Sequence, residues 1–279
     1  MIGAIIGDVV GSIYEELEYT NDGKRKYVDR IKVMDSNTEL FTDKCIVTDD
    51  SVLTIAVADA ILNNKDYSDT LREYGNREIE EGRNRFGSGF LKWLKGEGDC
   101  TSIGNGCAMR ISPIGYLYND INKIKEESRK LTITSHNNED CVKCAEAVAV
   151  SIYLLKNKTS KEDLKKYIED NYFSLDYDLE DLRNNYTFEV SAIKSVPQAI
   201  YCFLESNNFE DSIRKSLSIG GDSDTIACIA GSLAEAYYGV PDEFIDKVKK
   251  YLLDYMVPIL NQVYGGFYER DNRKVKRTK

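Results

Sequence analysis

Apolar residues recur at helical spacing along most of this chain, and they alternate as in a strand in very few places. Val52, Ile55, Ala56 and Ala60, for example, fall on one face of a helix. The same spacing predicts helices at approximately 52–62, 66–81, 121–134, 139–156, 161–170, 192–205, 209–218, 224–237 and 242–262. We therefore expect an all-α fold, with short ambiguous strand-like pieces such as 31–34.

Three segments lack this periodicity and interrupt the helical pattern. Residues 18–47 are polar, residues 82–106 are rich in glycine, and residues 172–191 are rich in Tyr, Asp and Asn. Long irregular stretches inside a helical domain often form lids or binding loops. Because no stretch has the composition of an interdomain linker, we expect one domain over residues 1–265, followed by a solvated basic tail at 266–279.

The first residues carry a stripe of glycines. Gly3, Gly7 and Gly11 recur every four residues, so on a helix they share one face. A face without side chains lets a second helix approach closely, although each interior glycine costs about 1 kcal/mol relative to alanine. Asp8 lies within this apolar stretch, and its burial requires hydrogen bonds or a cation.

Two short acidic clusters stand far apart in the sequence. Each combines two carboxylates with one threonine hydroxyl at the start of a helical pattern: the first is Thr48-Asp49-Asp50 and the second is Asp222-Ser223-Asp224-Thr225. Helix capping alone could explain either cluster. Capping does not require two acids twice over, however, and four carboxylates in one pocket would repel unless cations neutralised them. Oxygen donors of this kind suit Mg²⁺ or Mn²⁺, so the pair predicts a site for divalent ions.

Two further features are less specific on their own. The glycines of Gly104-Asn105-Gly106 permit positive φ and can expose backbone N–H groups to a phosphate, although a plain turn is an equal alternative. His136 is the only histidine and lies between two predicted helices, where a satisfied or surface role is the ordinary alternative to ligand binding. A single histidine excludes a His-rich zinc site.

Composition narrows the classes of function. The 279-residue chain is 42% hydrophobic and 30% charged, which suits a globular protein with a substantial core. Its net charge of −10 argues against a basic nucleic-acid-binding face and against binding to an anionic membrane. Seven cysteines without framework spacing, the absence of a membrane-length apolar run and the absence of a basic leader predict a cytoplasmic protein with reduced thiols.

Four segments, taken together and in this order, resemble the ADP-ribosylglycohydrolase family across residues 1 to about 262. They are Gly7-Asp8-Val9-Val10-Gly11-Ser12-Ile13-Tyr14-Glu15, Thr48-Asp49-Asp50-Ser51, Gly104-Asn105-Gly106-Cys107-Ala108-Met109-Arg110 and Gly220-Gly221-Asp222-Ser223-Asp224-Thr225-Ile226-Ala227. The resemblance implies a compact orthogonal all-α bundle with a binuclear Mg²⁺ or Mn²⁺ centre at the bottom of a cleft. It also implies hydrolysis of an N- or O-glycosidic bond at the anomeric carbon of ADP-ribose.

The resemblance assigns roles to individual residues. The two metal ions would be held by the oxygen donors of both clusters: Thr48, Asp49, Asp50, Asp222, Asp224 and Thr225. Glu15 matches an acidic residue that related enzymes carry on a mobile flap, and the candidates for the catalytic base are Glu15, Asp49 and Asp50. The substrate would contact the segment that holds the diphosphate and a histidine beside the ligand: Ser102, Gly104, Asn105, Gly106 and His136. Ile103 departs from the pattern, because some relatives carry an aromatic residue there.

Two alternatives stay open at this stage. A two-metal phosphohydrolase that cleaves a nucleotide diphosphate could use the same clusters, and a non-catalytic relative could only bind ADP-ribose. Oxygen donors at all six ligand positions argue against the second. The acceptor of ADP-ribose could be a protein side chain such as arginine or serine, an acetyl ester, a nucleic-acid base or another small molecule. We expect a monomer without a membrane partner, with nucleic acid relevant only as an ADP-ribosylated substrate.

Overall fold

The computed structural model describes residues 1–14, 18–19, 25–26, 30–98 and 100–266, and this part of the chain is predominantly helical. Its α-helices, numbered in chain order, are α1 Ile2–Gly11, α2 Asp49–Leu62, α3 Tyr67–Glu80, α4 Ser88–Leu94, α5 Gly106–Met109, α6 Ser112–Leu117, α7 Ile121–Thr132, α8 Glu139–Lys156, α9 Lys161–Asn171, α10 Leu179–Asn185, α11 Ala192–Leu204, α12 Phe209–Ser218, α13 Ser223–Tyr238, α14 Asp242–Val248 and α15 Met256–Tyr264. The strands within these ranges are two antiparallel pieces of two residues, Glu18–Tyr19 and Arg25–Lys26. The all-α prediction is confirmed.

Several helices begin where the sequence predicts because a polar side chain caps the first turn. At the start of α8, Asn138 Oδ1 accepts hydrogen bonds from the backbone N–H groups of Asp140, at 2.9 Å, and Cys141, at 3.2 Å. Such a cap contributes about 1 kcal/mol to helix stability. The predicted helices agree with the observed ones to within three residues at either end, with one exception.

The exception is the single helix predicted at 242–262, which is wrong because the chain forms α14 and α15 instead. Pro258 supplies the physical reason. In a continuous helix its ring would clash with the carbonyl of Asp254, and it has no N–H to donate to that carbonyl. A new helix that begins at Met256 places Pro258 in the first turn, where backbone N–H groups have no intrahelical partner.

The three irregular segments contain short regular pieces that the sequence did not indicate. The ambiguous piece at 31–34 belongs to a 3-10 helix, Arg30–Met34, and α4 and α10 lie inside the other two segments. Side-chain packing stabilises α4, because Trp93 stacks on Phe90 with ring centroids 5.2 Å apart and lies 4.0 Å from the guanidinium of Arg72. Tertiary contacts thus stabilise a helix that is too short to show a clear period.

The glycine face predicted in α1 packs against α13, and this contact positions the candidate site. Gly7 lies directly against the backbone of Ala227, and a Cβ atom on Gly11 would come 2.5 Å from Cα of Asp224. All residues of α1 are buried, including Asp8. The bare face therefore brings Asp8 to the start of α13, where the second acidic cluster lies.

Helix α13 forms the centre of the packing. It contacts α1, α8, α11 and α12, and its residues 223–234 are all buried. The seven cysteines are free thiols. Among the helices that the structure describes, none combines the length and the hydropathy needed to cross a bilayer. The basic tail predicted at 266–279 lies outside the described residues, apart from Gly266.

Candidate active site

The two acidic clusters meet where α2 and α13 begin. Thr48 is the N-cap residue of α2, and its hydroxyl lies 3.3 Å from Asp224 Oδ2. In return, the Thr225 hydroxyl donates to Asp50 Oδ2 at 3.3 Å, although the two residues are 175 positions apart in the sequence. Carboxylates in the first turn of a helix are favoured by its dipole, which helps to explain why both helices start with acids.

A further buried acid, Asp8 of α1, joins the clusters. Its carboxylate accepts hydrogen bonds from the backbone N–H groups of Thr48 and Ser51, both at 3.1 Å, from the Thr48 hydroxyl at 2.6 Å and from the Ser51 hydroxyl. Asp8, Asp50 and Asp224 each place a carboxylate oxygen within 4.8 Å of the other two. The sequence indicates that burying Asp8 is costly, but it does not predict that Asp8 lies beside the metal ligands.

The electrostatics of the cluster favour a bound cation. Burial, followed by the charges of Asp224 and Asp8, raises the pKa of Asp50 well above its ordinary value. Burial, followed by the charges of Asp8 and Asp222, raises the pKa of Asp49 to about 7. Burial also raises the pKa of Asp8, against the opposing effect of its hydrogen bonds. A positive charge would stabilise the ionised form of all these groups.

The donor set fits a hard divalent cation. Within the described residues, Asp50 Oδ1 is buried and has no hydrogen-bond partner. The neighbouring donors are carboxylate and hydroxyl oxygens, which are the ligands that Mg²⁺, Mn²⁺ and Ca²⁺ prefer. The residues present are therefore able to hold such an ion.

The Gly-Asn-Gly segment is tied to the second acidic cluster. Asn105 Nδ2 donates to Asp222 Oδ2 at 2.6 Å, and its backbone N–H donates to the Val190 carbonyl at 2.8 Å. Gly104 and Gly106 do not adopt the positive φ that the sequence suggested. A Cβ atom on Gly106 would lie 3.5 Å from Nε2 of His136, an ordinary van der Waals distance, so the imidazole lies directly against this glycine. The helix that follows, α5, has only four residues.

The second acidic cluster, by contrast, does use the conformational freedom of glycine. Gly220 and Gly221 have φ of 74° and 78°, a region that residues with a side chain rarely adopt. At Gly221 an added Cβ would also collide with the ring of Tyr186. These two residues turn the chain from α12 into α13 and thereby aim Asp222 at the cleft.

A single cleft of about 710 Å³ collects most of the predicted site residues. Ligand pockets of this size accept molecules as large as a nucleotide. The predicted residues that line it are Asp49, Asp50, Ser102, Gly104, Asn105, Gly106, His136, Asp222, Asp224 and Thr225. Thr48 is buried and contacts the acidic cluster through its hydrogen bond to Asp8. Arg110, which the sequence did not single out, also lines the cleft.

Glu15 lies outside the described residues, so its predicted position on a flap above the cleft stays a prediction. Tyr14 is the last described residue before this segment, and its backbone N–H donates to the Gly11 carbonyl at 2.9 Å. Ile103, the departure from the family pattern, is 61% exposed and pairs with Ala192 through a backbone hydrogen bond of 2.9 Å.

Comparison with known proteins gives a consistent result. A family model described as ADP-ribosylglycohydrolase matches residues 1–273. ADP-ribosylhydrolase ARH3 of Mus musculus is 25% identical, over 86% of this chain and 83% of that protein, and ARH3 of Bos taurus is 24% identical, over 86% and 84%. ADP-ribosylarginine hydrolase Tri1 of Pseudomonas putida (strain GB-1) is 26% identical, over 62% of this chain and 48% of that protein.

A solved structure shares the fold. A solved structure described as an ADP-ribosylglycohydrolase-related protein complex superposes with a TM-score of 0.68, covering 94% of both chains at 20% identity. That likeness establishes the fold, and the family model covers nearly the whole sequence. The chain belongs to the ADP-ribosylglycohydrolase family.

Proposed function

We propose that this protein hydrolyses the N- or O-glycosidic bond that links ADP-ribose to an acceptor, releasing free ADP-ribose and reversing ADP-ribosylation. Family membership supports an ADP-ribosyl hydrolase in general. The observation that carries the proposal is the convergence of Asp8, Asp50 and Asp224 beside a cleft of nucleotide size. Ribose hydroxyls and the charge that develops at an anomeric carbon are chemistry that such an oxygen-rich site can serve.

The proposed metal site consists of two Mg²⁺ or Mn²⁺ ions held by Thr48, Asp49, Asp50, Asp222, Asp224 and Thr225. Bound there, the ions would supply positive charge that orients the ribose and stabilises anionic oxygen. We assign Asp8 a supporting task, since its carboxylate already accepts hydrogen bonds from the backbone and side chains of Thr48 and Ser51. It fixes the start of α2 and thus the direction of Asp49 and Asp50.

The chain's own carboxylates are the proposed proton acceptors for an attacking water. Asp49 and Asp50 both line the cleft, and Asp49 is the more exposed of the two. Glu15 is the third candidate and belongs to a segment outside the described residues. An acid on a movable piece of chain could act on the reaction without holding an ion.

Ser102, Gly104, Asn105, Gly106 and His136 are the proposed diphosphate-binding residues, and they lie together on one wall of the cleft. The Ser102 hydroxyl accepts a hydrogen bond of 3.2 Å from the backbone N–H of Gly104, which holds the segment in shape. The acceptor of ADP-ribose stays open between a modified protein, a nucleic-acid base and a small molecule. The monomeric state and the cytoplasmic location also stay predictions.

Product analysis tests the proposed reaction. The protein is incubated with ADP-ribosylated arginine, ADP-ribosylated serine and O-acetyl-ADP-ribose, with and without Mg²⁺ or Mn²⁺. Release of intact ADP-ribose from at least one of them supports the proposal. Formation of AMP and ribose phosphate would instead identify a phosphohydrolase, and ADP-ribose binding without turnover of any substrate would indicate a binding protein.

A further inference from the structure

Arg110 is a buried cation that the proposed function leaves without a task. It follows α5 directly, its side chain is 0% exposed, and it belongs to the wall of the cleft. Burial lowers its pKa to about 10, so the guanidinium stays charged at neutral pH. Its Nε and Nη1 atoms are buried and have no hydrogen-bond partner in the described part of the chain. A buried charge this poorly satisfied is costly, which points to a functional reason for keeping it.

The remaining nitrogen of Arg110 reaches the histidine of the cleft. Nη2 lies 2.5 Å from the Ser135 hydroxyl and 3.5 Å from His136 Nδ1. The Ser135 hydroxyl in turn lies 2.8 Å from His136 Nδ1. Arg110, Ser135 and His136 thus form one buried chain of hydrogen bonds that ends at the imidazole.

The direction of this chain follows from the chemistry of its members. A guanidinium only donates, so the Ser135 oxygen accepts from Arg110. Because Ser135 is buried, its proton needs an acceptor within the protein, and among the described residues His136 Nδ1 is the one within reach. A proton on Nδ1 would also face the N–H group of Arg110 Nη2. Both donors therefore require Nδ1 to be an acceptor.

The other ring nitrogen is left to face the cleft. Nε2 lies 3.5 Å from the position of a Cβ on Gly106 and 3.8 Å from that of a Cβ on Gly104. Across the described residues, it has no hydrogen-bond partner. An antiparallel bridge between Thr101 and His136 holds the backbone on which the ring is mounted.

We propose that Arg110 and Ser135 are positioning residues that hold His136 in the neutral Nε2–H tautomer, with that N–H directed over Gly104 and Gly106 as a donor to an anionic oxygen of the substrate. The inference rests on the proposed function for the identity of the anion, a diphosphate. It goes beyond that function by assigning the proton and the two residues that fix it. Burial and the charge of Arg110 support a neutral ring, since they lower the pKa of His136 to about 3.

The single histidine of the chain makes the tautomer directly measurable. Long-range ¹H–¹⁵N correlation spectra of the ¹⁵N-labelled, Mg²⁺-loaded protein give one imidazole pattern, which distinguishes the two tautomers and the charged ring. We expect pure Nε2–H in the wild-type protein, and a shift of the Nε2 signal on addition of ADP-ribose but not of ribose. A ring protonated on Nδ1, or one that does not respond to ADP-ribose, overturns the proposal.

Three variants test the positioning residues. Arg110→Met and Ser135→Ala should each give a mixture of tautomers. The Kd for ADP-ribose should then rise by the inverse of the remaining Nε2–H fraction, about two- to tenfold for fractions of about one half to one tenth. Arg110→Lys keeps a cationic donor and should retain the Nε2–H form. Ser128→Ala removes a buried serine hydroxyl of α7 that does not line the cleft, and it serves as the matched control.

If Arg110→Met does not fold, Ser135→Ala and the wild-type spectrum still decide the question. A pure Nε2–H ring in both Ser135→Ala and Arg110→Met would show that neither residue sets the tautomer and would refute their assignment. None of these spectra depends on turnover, so a failure of the proposed hydrolysis is separate from a failure of this inference.

Discussion

At the scale of single residues, Asp8 connects the fold to the site. Its carboxylate holds the first turn of α2 through Thr48 and Ser51, and it lies within 4.8 Å of the oxygens of Asp50 and Asp224. Both tasks depend on its complete burial. The Asp8 carboxylate repels its neighbours and so raises the free energy of the metal-free site. Once a cation is bound, the same charge attracts the cation and lowers the free energy of the site.

The first prediction concerns the metal ligands. Asp49→Ala and Asp224→Ala should each remove bound metal and lower kcat by more than about 100-fold while the helical circular dichroism spectrum is retained, because each removes one oxygen donor and no apolar packing. Metal analysis and turnover assays measure this. Asp43→Ala, an exposed acid outside the cleft, is the matched control. Wild-type rates in both variants would contradict the assignment.

The second prediction concerns Glu15. Glu15→Gln keeps the size of the side chain but removes its charge and basicity, so we expect a large fall in kcat with metal content and ADP-ribose affinity nearly unchanged. Calorimetry with ADP-ribose and metal analysis of the purified variant test it. Loss of metal would make Glu15 a ligand, and an unchanged kcat would leave Asp49 or Asp50 as the base.

At the scale of the elements, the close packing of α1 on α13 determines where the acids meet. Backbone contacts at Gly7 and Gly11 leave no room for a methyl group. A side chain at Gly7 would push α1 away from α13 and would carry Asp8 away from Asp224. The stability of the fold and the geometry of the site are therefore coupled through this one interface.

Gly7→Ala provides the third prediction. The added Cβ would overlap the backbone of Ala227, so the free energy of unfolding should fall by about 2–3 kcal/mol and the metal affinity should fall with it. Urea unfolding of the metal-free protein and metal titration measure the two effects. Gly89→Ala, where a Cβ would meet open space within α4, should leave stability unchanged or slightly raised. Equal stability of the two variants would contradict the packing argument.

The sequence predicted those elements whose period and caps agree, such as α8 behind Asn138. It did not predict α4, because this helix has only seven residues and is stabilised in part by Arg72, a residue distant in sequence that contacts Trp93. The pairing of the acidic clusters was predictable because both combine acids with a hydroxyl. The chain from Arg110 to His136 was not, since it depends on how α5 and α8 pack.

At the scale of the whole molecule, the charge of the cleft links folding, pH and metal binding. The pKa of Asp49 is raised to about 7, and those of Asp8 and Asp50 are raised too. Folding of the metal-free protein therefore takes up protons. The contribution of these groups to stability is fully present below their ordinary pKa values and is lost as pH rises through their folded-state values.

The fourth prediction follows from this loss of stability with rising pH. In EDTA the raised pKa values of the acids should lower the Tm as pH rises from 6 to 8. The N-terminus of Met1 and His136 act in the opposite direction, because burial lowers their pKa values. Mg²⁺ should raise the Tm more at pH 8, because the cation replaces the protons. Scanning calorimetry at both pH values, with and without Mg²⁺, measures this. Asp50→Asn should weaken both effects. A change in the metal-free Tm from pH 6 to pH 8 that is the same in the wild-type protein and in Asp50→Asn, or no response to Mg²⁺, would contradict the account.

The most direct test of the central claim is turnover during metal removal and return. The protein is stripped with EDTA, freed of the chelator, and assayed for release of ADP-ribose from an ADP-ribosylated substrate while Mg²⁺ or Mn²⁺ is titrated back. We predict no measurable release without metal and recovery of the full rate on its addition. Undiminished release of ADP-ribose from a rigorously metal-free protein would contradict a metal-dependent ADP-ribosyl hydrolase.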